Sequence, residues 1–169
     1  MRRVLCLLIL SMAVFSAVAQ RGQDFASRFM QQCHKDSIEC ITISPKMMEQ
    51  MASMGGDYCN DTLMQAISKL KGVRILQANA NGNSYYQRAE ALLKKNAHRF
   101  NYVKNYRTDR FTGVFYNRQA RNGKVVELVM AGETLKGNKF VLINLTGDID
   151  EEFVEILLKM FGQHAPADT

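Results

Sequence analysis

The stretch that most constrains the fold runs from Lys124 to Phe161, because the spacing of its apolar residues changes from a strand period to a helical one. Residues 125–131 and 140–145 are rich in β-branched and apolar side chains, and they predict two strands, the second central in its sheet. Asp148 then predicts the N-cap of an amphipathic helix, and Glu151 three residues later completes a capping box. The rest of the chain is therefore expected to pair with this unit or pack against it.

The segments before this unit also alternate between the two periods. Helices are predicted over residues 24–33, 45–54, 61–71 and 84–97, and strands over 38–43, 73–78, 100–107 and 111–119. Gly72 is the expected C-cap of the third helix, and Asn122-Gly123 predicts a type I′ hairpin turn. Four hairpin-linked strands after a helical half indicate a single α+β domain, with a largely antiparallel sheet of about five to six strands and helices packed on one face.

Residues 1–19 have the organisation of a signal peptide. Two arginines precede an apolar run at 4–18, which ends in an Ala-Val-Ala cleavage site. The run is short for a membrane span, and Cys6 lies inside it rather than directly after a cleavage site. We therefore expect cleavage after Ala19 and a periplasmic or secreted protein that is not a lipoprotein.

Charge and hydropathy limit the partners and the membrane segments that can be expected for the remaining chain. Loss of Arg2 and Arg3 with the signal peptide lowers the formal net charge from +6 to +4, and both signs are interspersed. Such a mild excess argues against a nucleic-acid partner. No second apolar segment is long enough to cross a bilayer, so no transmembrane segment is expected after cleavage. We expect one domain over residues 24–162 and a disordered polar tail over 163–169.

Three cysteines follow the cleavage site, namely Cys33, Cys40 and Cys59. A Cys40–Cys59 disulfide would close a loop of about twenty residues, worth roughly 3 kcal/mol in the chain-entropy model. Cys33 follows Phe29 by four residues on a helical face, which favours a buried thiol. Buried free thiols and a Cys40–Cys59 disulfide both stay open at the level of the sequence.

Four methionines on the second predicted helix have three alternative roles. They could ligate Cu(I) through soft thioether sulfurs, form a compliant partner-binding surface, or fill the core. A regular amphipathic helix favours the core role, because methionine is a routine filler of irregular gaps. The four are Met47, Met48, Met51 and Met54.

No cluster in the sequence has the pattern of a catalytic or metal site. Cys33-His34 with Cys40 lacks the paired spacing of zinc ligands and a fourth ligand. Adjacent helical residues point about 100° apart, so Cys33 and His34 make a poor nucleophile and base. Asp148 and Asp150 offer too few oxygens for a calcium loop, and helix capping explains Asp148. We expect no catalytic residues, no metal and no cofactor.

One surface on the predicted hairpins is less easily explained by folding alone. Tyr102, Lys104 and Tyr106 alternate along one strand, and Tyr116 and Arg118 alternate along the next. If helices cover the opposite face, these five side chains line an open sheet surface, where aromatic residues and arginine are typical of interfaces. A solvated face is the simpler alternative, because single exposed aromatic residues are normal.

Four phrases occur together in order: ITISPKMM at 41–48, KLKGVRIL at 69–76, VELVMAG at 126–132 and FVLINLTGDID at 140–150. They resemble the DUF4252 family, exported Bacteroidota proteins of unknown function, over residues 25–161. The resemblance implies a small exported domain without an assigned activity, in an envelope-response context. Many relatives look like lipoproteins, whereas this chain has no cysteine directly after its apolar N-terminal run. The family supplies no catalytic residues to carry over.

Two functions of different classes are consistent with these features. We expect an exported, non-catalytic binding or interaction module of the periplasm or cell envelope, with a protein or small-molecule partner. The alternative is a small exported enzyme, hydrolase-like, whose catalytic groups converge only in three dimensions. A deep polar pocket with His98, a glutamate and a cysteine or serine in mutual contact would favour the enzyme.

Overall fold

A computed structural model describes residues 23–33, 38–54, 67–107, 111–135, 138–150 and 152–154, without the side chains of 51–54. Its elements are helices α1 (Phe25–Gln31), α2 (Pro45–Met54) and α3 (Gly82–Lys95), and strands β1 (Glu39–Ile43), β2 (Leu70–Ala78), β3 (Asn101–Arg107), β4 (Phe111–Gln119), β5 (Val125–Thr134) and β6 (Phe140–Ile149). The predicted signal peptide, the tail and most of the helix predicted from residue 61 lie outside the described residues. Within the described part of the chain, no helix is both long and apolar enough to cross a bilayer.

The described strands form one antiparallel sheet in the order β1-β2-β6-β5-β4-β3. As its continuous apolar run predicts, β6 is central and lies between β2 and β5. The single α+β domain and its largely antiparallel sheet are therefore confirmed. β1 and β3 form the two edges of the sheet.

Apolar side chains cover both faces of this sheet. On β5, Val129 contributes to one buried cluster and Leu128 to another, because successive strand residues point to opposite sides. Face A, the side of Val129, is covered by α1 and α3 through Phe25, Phe29, Tyr85, Ala89 and Leu93. Face B, the side of Leu128, packs against Met48 of α2 and the helical residue Phe153. The expected placement of all helices on one face is thus corrected, since strands that are apolar on both sides need cover on both sides.

The two helices on face A begin differently. At α1, the Asp24 carboxylate caps the helix by accepting a hydrogen bond from the amide three residues later at 2.7 Å. At α3, Asn138 from the turn between β5 and β6 supplies the cap. Its carbonyl accepts from the Gly82 amide at 2.7 Å, and its side-chain oxygen accepts from the Asn83 amide at 3.1 Å. A Cβ atom on Gly82 would collide with the Asn138 carbonyl, so only glycine permits this contact.

The predicted helix cap at Asp148 is wrong. The residue lies inside β6, where its amide donates to the Lys69 carbonyl at 3.2 Å. Its carboxylate forms a surface ion pair with Lys124 at 3.1 Å. A helical hydrogen bond from the Val154 amide to the Asp150 carbonyl shows that the helical turn follows Asp150 instead. The glutamate of the predicted capping box lies outside the described residues.

Two further local predictions change. Gly72 lies inside β2, which begins two residues before it, so it is not the C-cap of a helix. The hairpin at Asn122-Gly123 is confirmed, but only its glycine has a positive φ, at 83°, whereas a type I′ turn needs two such residues. The Ala120 amide donates to the Lys124 carbonyl at 2.8 Å, which closes a three-residue loop over 121–123. A glycine at the left-handed end of such a loop is a common alternative.

Candidate functional site

An irregularity in β3 divides the predicted interaction face. The register shifts between Tyr102 and Lys104. Tyr102 lies opposite Tyr116, which packs on face A. Lys104 lies opposite Phe115, which packs on face B, and opposed residues of antiparallel strands share a face. The expectation that Tyr102, Lys104 and Tyr106 share a face is therefore wrong, because the extra residue reverses the alternation beyond it.

Tyr106 is a core residue of face B and is only 7% exposed. Its hydroxyl oxygen would lie 2.5 Å from a Cβ on Gly113 and 2.6 Å from a Cβ on Gly132. The ring therefore occupies the space that two neighbouring glycines leave open. Burial raises the pKa of Tyr106 above its usual value. Tyr106 is therefore a core residue rather than part of an open surface. Lys104 is half-buried on the same face.

Three residues of the predicted face lie together on face A, namely Arg118 and the tyrosine pair, Tyr102 and Tyr116. Tyr102 is 55% exposed, whereas Tyr116 is 4% exposed. Their rings meet edge-on at a centroid distance of 5.6 Å and an angle of 77°, a favourable arrangement for aromatic pairs. The exposed ring thus packs on one side against the buried ring at the edge strand β3.

α3 supplies the neighbours of the tyrosine pair. Glu90 and Lys94 form an ion pair one helical turn apart at 2.8 Å. Burial, followed by the charge of Glu90, raises the pKa of Tyr86 to about 12, and the tyrosine pair adds to this effect. Burial also raises the pKa of Tyr116, against an opposing effect of Lys94. This corner of face A therefore combines three phenol hydroxyls with one charge pair.

Arg118, the last residue of the predicted face, is bound to a buried carboxylate. Its Nε donates to Glu127 Oε2 at 2.7 Å. The arginine side chain is 30% exposed, whereas that of Glu127 is completely buried. Arg118 follows Tyr116 by two residues on β4 and so lies on face A. Arg118 therefore lies next to the tyrosine pair, and its guanidinium group neutralises the buried charge of Glu127.

Glu127 and Asn144 together hold the start of α1. Glu127 Oε1 accepts from the Phe25 amide at 2.6 Å and from Asn144 Nδ2 at 3.1 Å. Asn144 Oδ1 accepts from the Ala26 amide at 2.9 Å. With Arg118 on Oε2, donors occupy both carboxylate oxygens of Glu127. This arrangement satisfies buried groups and identifies Glu127 as a structural anchor of α1.

The sequence contains a usable signal for this anchor, although sequence reasoning did not use it. Glu127 interrupts the apolar stretch VVELVMA of β5, and Asn144 interrupts FVLINL of β6. A charged or amide side chain in the middle of a buried strand requires a partner. Which partner it meets depends on how α1 lies across the sheet, and local spacing does not define that.

A comparison with protein families identifies the chain. The family model described as "Domain of unknown function (DUF4252)" matches residues 29–157. The chain belongs to the DUF4252 family. The resemblance that the four sequence phrases carry is thereby confirmed. No curated protein matches the sequence.

The methionines of this DUF4252 domain do not share one environment. Met48 is buried in the apolar cluster of face B, whereas Met47 is 46% exposed. The side chains of the other two methionines lie outside the described residues. Met48 thus fills the core, the role that an amphipathic helix favours.

His98, a candidate residue of the alternative enzyme hypothesis, is exposed after the end of α3.

Cys33 and Cys40 both carry free thiols. Cys33 is buried, and this burial raises its pKa against a smaller opposing effect of Arg88. Cys40 is exposed on the edge strand β1. Cys59 and His34 lie outside the described residues. Over the described ranges, no three His, Cys, Asp or Glu side chains come together as metal ligands.

Proposed function

We propose that this DUF4252 protein is an exported interaction module of the cell envelope, without catalytic activity, that binds a partner protein through the tyrosine pair. The observation that carries this proposal is the 55% exposure of Tyr102 beside a buried aromatic neighbour. A ring that is already oriented loses little conformational entropy on binding, and tyrosine supplies both apolar area and a hydroxyl. Glu90 and Lys94 supply the polar rim that interfaces commonly have.

The export part of the proposal is supported by the N-terminal sequence. Arg2 and Arg3 precede an apolar run, and small residues end it at Ala19. The non-catalytic part is supported by Glu127, whose carboxylate oxygens are both occupied by donors that hold the fold together. Lys104 and Tyr106 are left out of the proposed surface, because both lie on face B.

The test compares two single variants in a pull-down from the envelope fraction of cells that express the protein. Tyr102→Ala should abolish recovery of the partner, because it removes the exposed ring and leaves the buried core intact. Leu135→Ala is the matched control, since Leu135 is a similarly exposed large apolar residue, at 44%, just after β5. Both variants should melt near the wild-type temperature.

Two outcomes would contradict the proposal. If Tyr102→Ala recovers the same partner as the wild type, the tyrosine pair is not the binding surface. N-terminal sequencing of the same preparation should begin at Gln20, and recovery of the chain only as an uncleaved cytoplasmic form would contradict export.

A further inference from the structure

The two edges of the sheet differ in how they are protected against pairing with another strand. Strand β3 carries Lys104 and Arg107, and its register shifts after Tyr102. Cations and β-bulges on an edge strand both discourage pairing with a further strand. Strand β1 has neither feature, because its sequence ECITI contains no cation and pairs with β2 in one unbroken register. β1 is therefore the less protected edge.

The side chains of β1 are exposed along most of the strand. Four of its five residues are exposed, and only Ile43 is half-buried. The central residue, Ile41, is a large apolar side chain that is 48% exposed. Among the described strands, β1 pairs with β2 alone, and an edge strand directs half of its amides and carbonyls outward. Such an edge can add a strand from another chain through main-chain hydrogen bonds.

The side chains of β1 divide between the two sides of the sheet. Cys40 and Thr42 point to one side, where Cys40 Sγ lies 3.8 Å from Thr42 Oγ1. Ile41 and Ile43 point to the other side, and Ile43 packs against the apolar cluster of face B. Ile41 thus extends the apolar surface of face B to the edge of the sheet.

This pattern is self-complementary about Ile41. Two copies of β1 that pair antiparallel across a two-fold axis at Ile41 bring their Ile41 side chains directly opposite each other. Cys40 of each copy then lies opposite Thr42 of the other. Glu39, the only charged residue of the strand, lies opposite Ile43, and the two glutamates are at opposite ends of the pair. The arrangement therefore opposes apolar residues without opposing like charges.

We propose that β1 is a dimerisation edge, to which a second copy of this chain adds its own β1 antiparallel. The pairing joins two six-stranded sheets into one continuous sheet. A second copy is favoured over an unrelated peptide because the sequence of β1 itself supplies the opposed apolar residues and the separated charges. Since only five residues of each copy pair, the interface is small and the dimer dissociates on dilution.

The dimer leaves the proposed partner surface accessible. β1 and β3 are the two opposite edges of the described sheet, so Tyr102 lies at the far edge from the dimer contact. One dimer would thus present two copies of the tyrosine pair and could bind a partner bivalently. The dimer itself does not depend on what the tyrosine pair binds.

Sedimentation equilibrium of the purified protein tests the proposal. The wild type should change from monomer to dimer between about 1 and 500 µM, the range expected of a small interface. Ile41→Lys should weaken dimerisation by about tenfold or more, because it opposes two like charges and removes the apolar pair. Leu135→Lys is the matched control, since Leu135 is 44% exposed after the inner strand β5 and should leave dimerisation unchanged.

A milder substitution separates a lost contact from a lost fold. Ile41→Thr keeps a β-branched side chain without adding charge, and it should weaken dimerisation less than Ile41→Lys. Because Ile41 is exposed, both variants should keep the circular dichroism spectrum of the wild type.

Hydrogen–deuterium exchange of the wild type locates the contact without any substitution. The outward-directed amides of residues 39–43 should exchange more slowly at high protein concentration than at low, whereas the β3 amides should exchange equally at both. A wild type that stays monomeric over the whole range would overturn the proposal. So would a dimer that Ile41→Lys retains, or slower exchange at β3 in place of β1.

Discussion

The two faces of the sheet differ in the kinds of side chain that they bury. In the described part of face B, apolar side chains pack together, and the Tyr106 ring lies over Gly113 and Gly132. Face A buries a carboxylate and an amide, Glu127 and Asn144, and satisfies them with the start of α1. Among the described residues, the buried carboxylate and the buried amide thus lie on the same side of the sheet. Substitutions on face A therefore test polar contacts, whereas substitutions on face B test apolar packing.

The substitution with the largest expected effect on the free energy of unfolding removes the buried carboxylate of face A. Glu127→Ala leaves Arg118 without its partner and the Phe25 amide without its acceptor, and we expect a loss of about 3–5 kcal/mol in the free energy of unfolding. Urea denaturation measures this loss. The control is Asp148→Ala, which breaks the exposed ion pair with Lys124 and should cost less than about 1 kcal/mol. Equal effects of the two substitutions would refute the anchor.

On face B, the largest effect of a small change should come from a glycine. A Cβ on Gly132 would collide with the Phe111 ring and lie 2.5 Å from the Thr112 carbonyl, so Gly132→Ala should cost about 1–3 kcal/mol. Gly72→Ala is the matched control on β2, because the nearest atoms there are 3.8 Å away. It should leave stability unchanged or raise it slightly. Urea denaturation that finds equal losses for both would contradict close packing at Gly132.

A smaller effect should appear at alkaline pH. An unfolded tyrosine releases its proton near pH 10, but burial raises the pKa of Tyr106 on face B above that value, and that of Tyr86 on face A to about 12. Their contribution to stability is complete below about pH 10 and is lost as pH rises, because the unfolded chain then holds fewer protons than the folded one. The free energy of unfolding should therefore fall above this pH.

The alkaline loss can be assigned to a face by substitution. Tyr106→Phe should make the loss of stability less steep, measured by urea denaturation at several pH values. Tyr102→Phe removes an exposed hydroxyl and is the control, with a profile expected to match the wild type. If Tyr106→Phe has the wild-type slope, Tyr106 does not contribute to the alkaline transition.

The sequence predicts the architecture well because the spacing of apolar residues reflects which side chains are buried. The continuous apolar run of β6 locates it in the centre of the sheet, and Asn122-Gly123 locates a hairpin. The same patterns are ambiguous about caps. The Asp148–Glu151 spacing fits a capping box, yet β6 continues past Asp148, because pairing with Lys69 extends the sheet. Local propensity gives way there to a contact between distant segments.

The candidate site is less predictable because it depends on one irregular position and on helix placement. The register shift after Tyr102 turns Tyr106 to the opposite face, and alternation alone cannot reveal an extra residue in a strand. The anchor of α1 depends on residues more than a hundred positions apart in the chain. Motif spacing is informative about local geometry, whereas these contacts are set by the tertiary arrangement.

The anchoring of α1 has a consequence for the order in which the chain folds. The Phe25 and Ala26 amides bind side chains 102 and 118 residues later in the sequence. A ribosome makes α1 first among the described elements, but its acceptors exist only once β5 and β6 have been made. A seven-residue helix is too short to be stable alone, so this segment must remain unstructured until then. The first described helix to be synthesised is thus among the last elements to fold. It can dock only after β5 and β6 have joined the sheet.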